Sequence, residues 1–217
     1  MKNVAVILSG CGVFDGAEIN ESVFTLLELE KNGAHYQCFA PDIPQAQVVN
    51  HLTGEVVENE TRNVLVESAR ICRGNIKDIK EAKVSDFDAL IFPGGFGAAK
   101  NLSNFADAGA DSKVNNDVLA FAKAMADNHK PVGFICISPA MIPKIYGPGV
   151  QETIGNDEET AKTIEAMGGI HKKCPVTEFI YDEKHKVVST PAYMLAGNML
   201  EAYSGIEKLV KKVLELA

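Results

Sequence analysis

The sequence predicts a flavodoxin-like, three-layer α/β/α domain with a mostly parallel central sheet. Short runs of continuous apolar residues, such as Val4 to Leu8, Ala89 to Phe92 and Val132 to Ile135, read as strands buried on both faces. Longer amphipathic segments separate them, as helical crossovers separate parallel strands. The chain has 217 residues, 46% hydrophobic and 23% charged, which suits one domain spanning 1–217 better than two.

Taken in order, Val4 to Leu8 is the first strand, followed by a glycine-rich turn. A helix runs from about Ala17 to Asn32, with an apolar stripe of Ile19, Val23, Leu26 and Leu27. Gly33 ends it, where a left-handed residue is easiest to accommodate. His35 to Ala40 is a second strand, closed by Pro41. Residues from about Asp42 to Val57 read as irregular, with room for a hairpin. A helix follows through Val64, Leu65, Ala69 and Ile71. Ala89 to Phe92 is a strand ended by the turn Pro93-Gly94-Gly95. A long helix covers about Val114 to Asn128, and Val132 to Ile135 is the next strand, entered at Pro131. A helix near Ala161, two strands around Tyr181 to Thr190 and a closing helix through Leu200 and Leu214 complete the chain.

Charge and cysteine usage exclude several classes of function. The net charge of −8, from 29 acidic and 21 basic side chains, repels phosphate backbones and anionic lipids. Neither a nucleic-acid nor a membrane partner is expected, and no apolar run approaches the ~20 residues of a membrane span. The apolar run after Met1-Lys2-Asn3 is too short for a signal peptide. With that, the odd count of five cysteines implies reduced thiols, read here as a cytoplasmic setting. No CxxC pair or Cys/His cluster has zinc-ligand spacing, and the histidines are scattered.

In parallel sheets, function gathers at the carboxyl ends of the strands. Three loops fall there: SGCGVFDG (Ser9 to Gly16), PGGFGAAKNLSNF (Pro93 to Phe105) and FICISPAM (Phe134 to Met141). In the last, a buried strand ends at Ile135, Cys136 follows, and Pro139 sits where a first helical turn begins. That is the layout of a nucleophile elbow, in which the helix terminus favours the thiolate. A buried structural cysteine is the other reading, and Phe134 and Ser138 stand where the hydrolase elbow has glycines. Gly94 and Gly95 let backbone N–H groups approach a ligand, and with the N–H of Ile137 they could form an oxyanion hole. A tight turn is the plain alternative. In the first loop, Gly16 falls one residue late for a GxGxxG fingerprint, so nicotinamide binding is not expected. Glu18 and Glu21 lie in the opening turns of the first helix, off its apolar stripe. On the residues alone, a dipole preference for acids at a helix N-terminus accounts for them.

The segments LSGCGVFDGAEINE, NHLTGE, ETRNVLVESARI, PGGFGAAKNLSNFA, GFICISPAMIPKI and TPAYMLA together resemble the ElbB-type, glyoxalase-like proteins. These fall in the class I glutamine amidotransferase-like superfamily, with the PfpI-type proteases and the Parkinsonism-associated deglycase. The resemblance spans essentially the whole chain. It implies a flavodoxin-like fold and a reactive Cys136. It also implies a glutamate on the first helix against that sulfur, which falls on Glu21 when counted back from Gly33, and oxyanion donors at Gly95 and Ile137. One departure stands out. Amidotransferases complete a triad with a histidine in a late loop, and the comparable stretch here, Thr190-Pro191-Ala192-Tyr193, has none. Deglycase relatives place a histidine where this chain reads Glu152-Thr153-Ile154-Gly155, and His171 and His185 fit neither pattern. The implied activity is conversion of glyoxal or a similar small aldehyde to a 2-hydroxy acid without cofactor or metal. The competing readings are a cysteine redox sensor or small-molecule-binding regulator linked to isoprenoid metabolism, and a thiol hydrolase or amidotransferase. Relatives of this kind are commonly dimeric, so a homodimer is the expected assembly.

Overall fold

The computed structural model describes residues 1–217. In chain order the strands are β1 (Asn3–Ile7), β2 (His35–Ala40), β3 (Val49–Asn50), β4 (Glu55–Val56), β5 (Ile76–Asp78), β6 (Ala89–Phe92), β7 (Val132–Ile135), β8 (Gln151–Glu152), β9 (Ile170–His171), β10 (Ile180–Asp182) and β11 (Val187–Thr190). The helices are α1 (Ile19–Lys31), α2 (Val64–Ser68), α3 (Phe96–Lys100), α4 (Phe105–Ala108), α5 (Asn116–Asp127), α6 (Ile142–Tyr146), α7 (Glu158–Ala166) and α8 (Met199–Leu216). No helix is long and apolar enough to cross a membrane.

The central sheet has seven strands in the order β10-β11-β7-β6-β1-β2-β5. Every pairing is parallel except that of β10 with β11. Strand side chains alternate between faces, and here both faces are apolar. Ala5, Ile7, Leu90, Phe92 and Phe134 join Val118, Phe121 and Met125 of α5 and Ile142 of α6 in one core. Val4, Val6, Leu8, Ile91 and Ile135 join Leu26 and Leu29 of α1 and Ile206, Leu209 and Val213 of α8 in the other. This is the flavodoxin-like sandwich. From β1 the chain steps outward to β2 and β5, then returns to the other side of β1 as β6. The crevice between the carboxyl ends of β1 and β6 is therefore the topological switch point, where ligand sites form in such sheets.

The strands read from apolar runs keep their boundaries to within a residue or two. The irregular stretch after Pro41 holds the antiparallel pair β3–β4. Helix α2 stops at Ser68 rather than running on through Ile71, because Arg73 and Gly74 both take positive φ and turn the chain into β5. Helix α1 also presents a different face from that expected. Ile19, Val23 and Leu27 are 44%, 44% and 45% exposed, whereas Glu21, Ser22, Thr25, Leu26, Glu28 and Leu29 are buried. The inward hydroxyls are satisfied within the helix, Ser22 Oγ donating to Glu18 O and Thr25 Oγ1 to Glu21 O, each at 2.7 Å. A polar face with its hydrogen bonds closed can thus pack against the rest of the molecule.

Candidate active site

Cys136 follows β7 directly and carries φ of +62°, a conformation an L-residue adopts only under constraint. Ser138 supplies that constraint. Its hydroxyl, fully buried, accepts from Ile135 N at 2.8 Å and lies 3.0 Å from Phe92 O and 2.9 Å from Ile135 O. The serine in a glycine position of the hydrolase motif therefore clasps the elbow to β6. Phe134, in the other glycine position, stacks on Phe92 in the core at 5.1 Å. Pro139 falls at the start of a single 3₁₀ turn, Ser138–Met141, as its missing N–H allows.

Glu21 reaches the elbow from α1. Its side chain is fully buried and hydrogen-bonded to the Cys136 thiol. Its Oε2 accepts from Gly94 N at 2.9 Å and its Oε1 from Tyr193 N at 3.1 Å. Glu18, by contrast, caps α1, accepting from Glu21 N at 2.7 Å. The dipole account thus describes Glu18 and fails for Glu21. Burial, followed by the neighbouring charge of Glu18, pushes the Glu21 carboxyl up to about 8.

The thiol itself departs from the elbow expectation. Cys136 is 7% exposed, and burial followed by the Glu21 charge holds it well above the ordinary thiol range. The N–H groups of Gly95 and Ile137, both directed at the sulfur, oppose this without reversing it. The 3₁₀ turn that follows, continued by α6, does not overcome this burial. The N–H groups of Gly95 and Ile137 lie beside the sulfur, whereas that of Gly94 donates to Glu21 Oε2 at 2.9 Å. A side chain at Gly94 would also collide with Cys136 Cβ and Glu21 Oε2, so the missing Cβ is what lets thiol and carboxyl meet.

A cavity of about 330 Å³ opens on the sulfur, lined by Val13, Gly95, Phe96, Cys136, Ile137, Thr160, Tyr193 and Met194. Thr160 comes from α7 and Tyr193 and Met194 from the turn after β11, positions the sequence reading did not assign to the site. Ala192, at φ of +44°, helps aim the Tyr193 amide at Glu21. No histidine lines the cavity. His171 Nε2 accepts from Ile154 N at 3.3 Å, and His185 Nδ1 lies 2.9 Å from Asp182. The SGCGVFDG loop closes on itself, Gly16 N donating to Gly12 O at 2.7 Å and Gly12 N to Ala17 O at 2.9 Å.

The site thus joins a strained cysteine to a buried carboxyl, with two backbone N–H groups beside the sulfur. No protein-family model matches the chain. The rat ES1 protein homolog, mitochondrial, is 46% identical over 98% of this chain and 83% of its own length. The human glutamine amidotransferase-like class 1 domain-containing protein 3, mitochondrial, is also 46% identical, over 98% of this chain and 82% of its own.

The chain belongs to the ES1 family of glutamine amidotransferase-like class 1 domain proteins.

The ES1-family chain is also similar to the crystal structure of an isoprenoid biosynthesis protein with an amidotransferase-like domain from Ehrlichia chaffeensis. That likeness has a TM-score of 0.93 and 38% identity, and covers 100% of this chain and 99% of that one. A DJ-1 superfamily protein from Salmonella typhimurium shares the fold at TM-score 0.61 and 18% identity, over 99% and 91% of the two chains. The glutamine amidotransferase-like resemblance read from the sequence agrees with these relatives, and the DJ-1 likeness shows the shared fold. The cytoplasmic expectation is corrected, since the curated ES1 relatives are named mitochondrial proteins. Unpaired cysteines report a reducing setting and do not distinguish one such compartment from another.

Proposed function

We propose that the chain is a cofactor-independent, glyoxalase-like enzyme that converts glyoxal, or a similar small neutral aldehyde, to a 2-hydroxy acid. The observation that carries this reading is the hydrogen-bonded pair of Cys136 thiol and Glu21 carboxyl at the floor of a small, uncharged cavity. A carboxyl held at about 8 can both accept and return a proton near neutrality, which is what a proton shuttle requires.

In its ionised form Glu21 takes the Cys136 proton as the sulfur attacks one carbonyl carbon of glyoxal. The new C–S bond leaves an alkoxide, which faces the N–H groups of Gly95 and Ile137 and takes the proton back from Glu21. The product is a hemithioacetal. Glu21 then removes the proton from the sulfur-bearing carbon, and the electron pair forms an enediolate. The same carboxyl returns that proton to the second carbon while the hydroxyl proton passes from the first oxygen to the second, giving a hydroxymethyl thioester on Cys136. One carbon has been oxidised and the other reduced, with no external electron acceptor. Water attacks the thioester, the C–S bond breaks, and glycolate leaves with the thiol restored.

The cavity lining also bears on the amidotransferase alternative. Glutamine carries an α-carboxylate, and the cavity contains no Lys, Arg or His to pair with it. A histidine to relay the thiol proton is missing as well. A redox-sensor role for Cys136 is less favoured, because a thiol held above its ordinary range is a slow target for oxidants.

The test is turnover of glyoxal by the purified chain with neither glutathione nor metal added. Glycolate should accumulate with the wild type and not with Cys136→Ser, whose folded state should be unchanged by far-ultraviolet circular dichroism. A Cys136→Ser protein that consumes glyoxal at the parent rate would sink the covalent mechanism.

A further inference from the structure

A pair of cysteines lies outside the active site. Cys38 is in the interior of β2 and fully buried, and Cys72 is in the turn after α2 and 8% exposed. Both belong to the core on the α1–α8 side of the sheet. The path of the chain brings them together. After Cys72, Arg73 (φ +56°) and Gly74 (φ +82°) reverse the backbone, and Asn75 N returns a hydrogen bond to Cys72 O at 3.0 Å. Ile76 then enters β5 directly beside Cys38 in the parallel register. The two thiols are near enough to shift one another's ionisation.

We infer that Cys38 and Cys72 form a peroxide-oxidisable dithiol that closes to a disulfide between β2 and the α2–β5 turn. Cys72 is the attacking thiol. The neighbouring Cys38 thiol favours its thiolate, while Cys38 is pushed up by the same pairing and by burial. Cys72 also lies nearer the surface, 8% exposed against 0% for Cys38, and its Sγ donates to Ser68 O at 3.5 Å. Cys11 and Cys174 are pushed up, both chiefly by burial. The Cys72 thiolate attacks one oxygen of hydrogen peroxide, the O–O bond breaks, and a sulfenic acid forms as hydroxide leaves. The Cys38 sulfur then attacks Cys72 Sγ, the S–O bond breaks, and the second hydroxide leaves. The two thiol protons convert both hydroxides to water. Two sulfurs are oxidised by one electron each, and the two peroxide oxygens are reduced.

The pair sits behind the active-site loops. The Ser68 hydroxyl accepts from Gly10 N at 2.8 Å, at the root of the loop that brings Val13 to the cavity. The disulfide removes the proton that Cys72 shares with the Ser68 carbonyl, so oxidation reaches the segment that supports this loop.

The experiment uses the Cys136→Ser protein, which leaves four of the five thiols. After hydrogen peroxide and denaturation, the free thiol count should fall from four to two and return with dithiothreitol. Peptide mass spectrometry should find Cys38 linked to Cys72. An unchanged count, a loss confined to Cys11 or Cys174, or Cys72 trapped by dimedone without a linked peptide would overturn the inference. Adding Cys38→Ala should leave a Cys72 sulfenic acid that dimedone captures. Adding Cys72→Ala instead should protect Cys38, and oxidised Cys38 in that variant would overturn the assigned order.

Discussion

Replacing Glu21 by glutamine should change stability in a direction that reverses with pH. Below about pH 4.5 the carboxyl is protonated in both the folded and unfolded chain and imposes no cost. As pH rises from about 4.5 to about 8, the unfolded chain loses this proton while the folded chain keeps it. The folded state is therefore progressively destabilised, and above about 8 the cost levels off. At about 1.36 kcal/mol per pH interval of one, that plateau is on the order of 5 kcal/mol. Glutamine does not titrate and escapes this cost, but it incurs another. Glu21 accepts from both Gly94 N and Tyr193 N, whereas an amide has one accepting oxygen. One buried N–H is left without a partner, at about 1–3 kcal/mol. The variant should be less stable than the parent by about 1 kcal/mol at pH 5 and more stable by about 2 kcal/mol at pH 8, with the curves crossing near pH 6. For a chain of this size each kcal/mol moves the melting temperature by about 2–4 °C. Thermal melts of both proteins at constant ionic strength across this pH range measure the difference directly. A difference that is constant with pH, or a variant still less stable at pH 8, would refute a buried carboxyl that holds its proton to about 8. The stabilised variant should also be inactive, since a glutamine cannot carry the proton.

Two further outcomes follow from the geometry. Gly94→Ala places a methyl group against Cys136 Cβ and Glu21 Oε2, so it should abolish glyoxal turnover and cost about 1–3 kcal/mol in urea unfolding; a fully active variant would show that thiol and carboxyl need not meet. The exposed stripe Ile19, Val23 and Leu27 fits the apolar centre of a two-fold interface, so light scattering should report twice the 23.3 kDa chain mass and Val23→Glu should halve it; a 23.3 kDa wild-type particle at micromolar concentration would exclude the dimer.

The fold was legible wherever burial acts on consecutive residues. Strands β6 and β7 match their apolar runs because both faces of the sheet are covered there, so every position is under the same pressure. Short elements were not legible. Three residues of β5 and two each of β8 and β9 carry too little pattern to stand out. Helix α3 begins inside a glycine-rich stretch that reads as a loop. Helix α1 misled in a specific way. An apolar stripe is ordinarily the core face, but here Ser22 and Thr25 turn inward with their hydroxyls bonded to the backbone, and Ile19, Val23 and Leu27 are left outside. The site shows the same division. Cys136 was visible as a strand-to-helix turn. Glu21 was not, because local chemistry favours an acid at any helix N-terminus, and only the resemblance placed it. The Tyr193 amide and the place of Thr160 in the cavity wall were illegible, since a backbone donor leaves no mark in composition and α7 is distant in sequence from the elbow. The raised thiol was also hidden, because burial by remote segments outweighs what a helix terminus contributes.

The pH dependence of glycolate formation bears most directly on the claim that Cys136 and Glu21 act as one proton-sharing pair. Initial rates from glyoxal, measured with the pure chain from pH 6 to pH 9, give kcat/KM for the free enzyme. If ionised Glu21 takes the thiol proton, kcat/KM should rise with pH and level off with an apparent pKa near 8, and Glu21→Gln should form no glycolate at any pH. A rate independent of pH across this range, or a Glu21→Gln protein that matches the parent, would contradict the account.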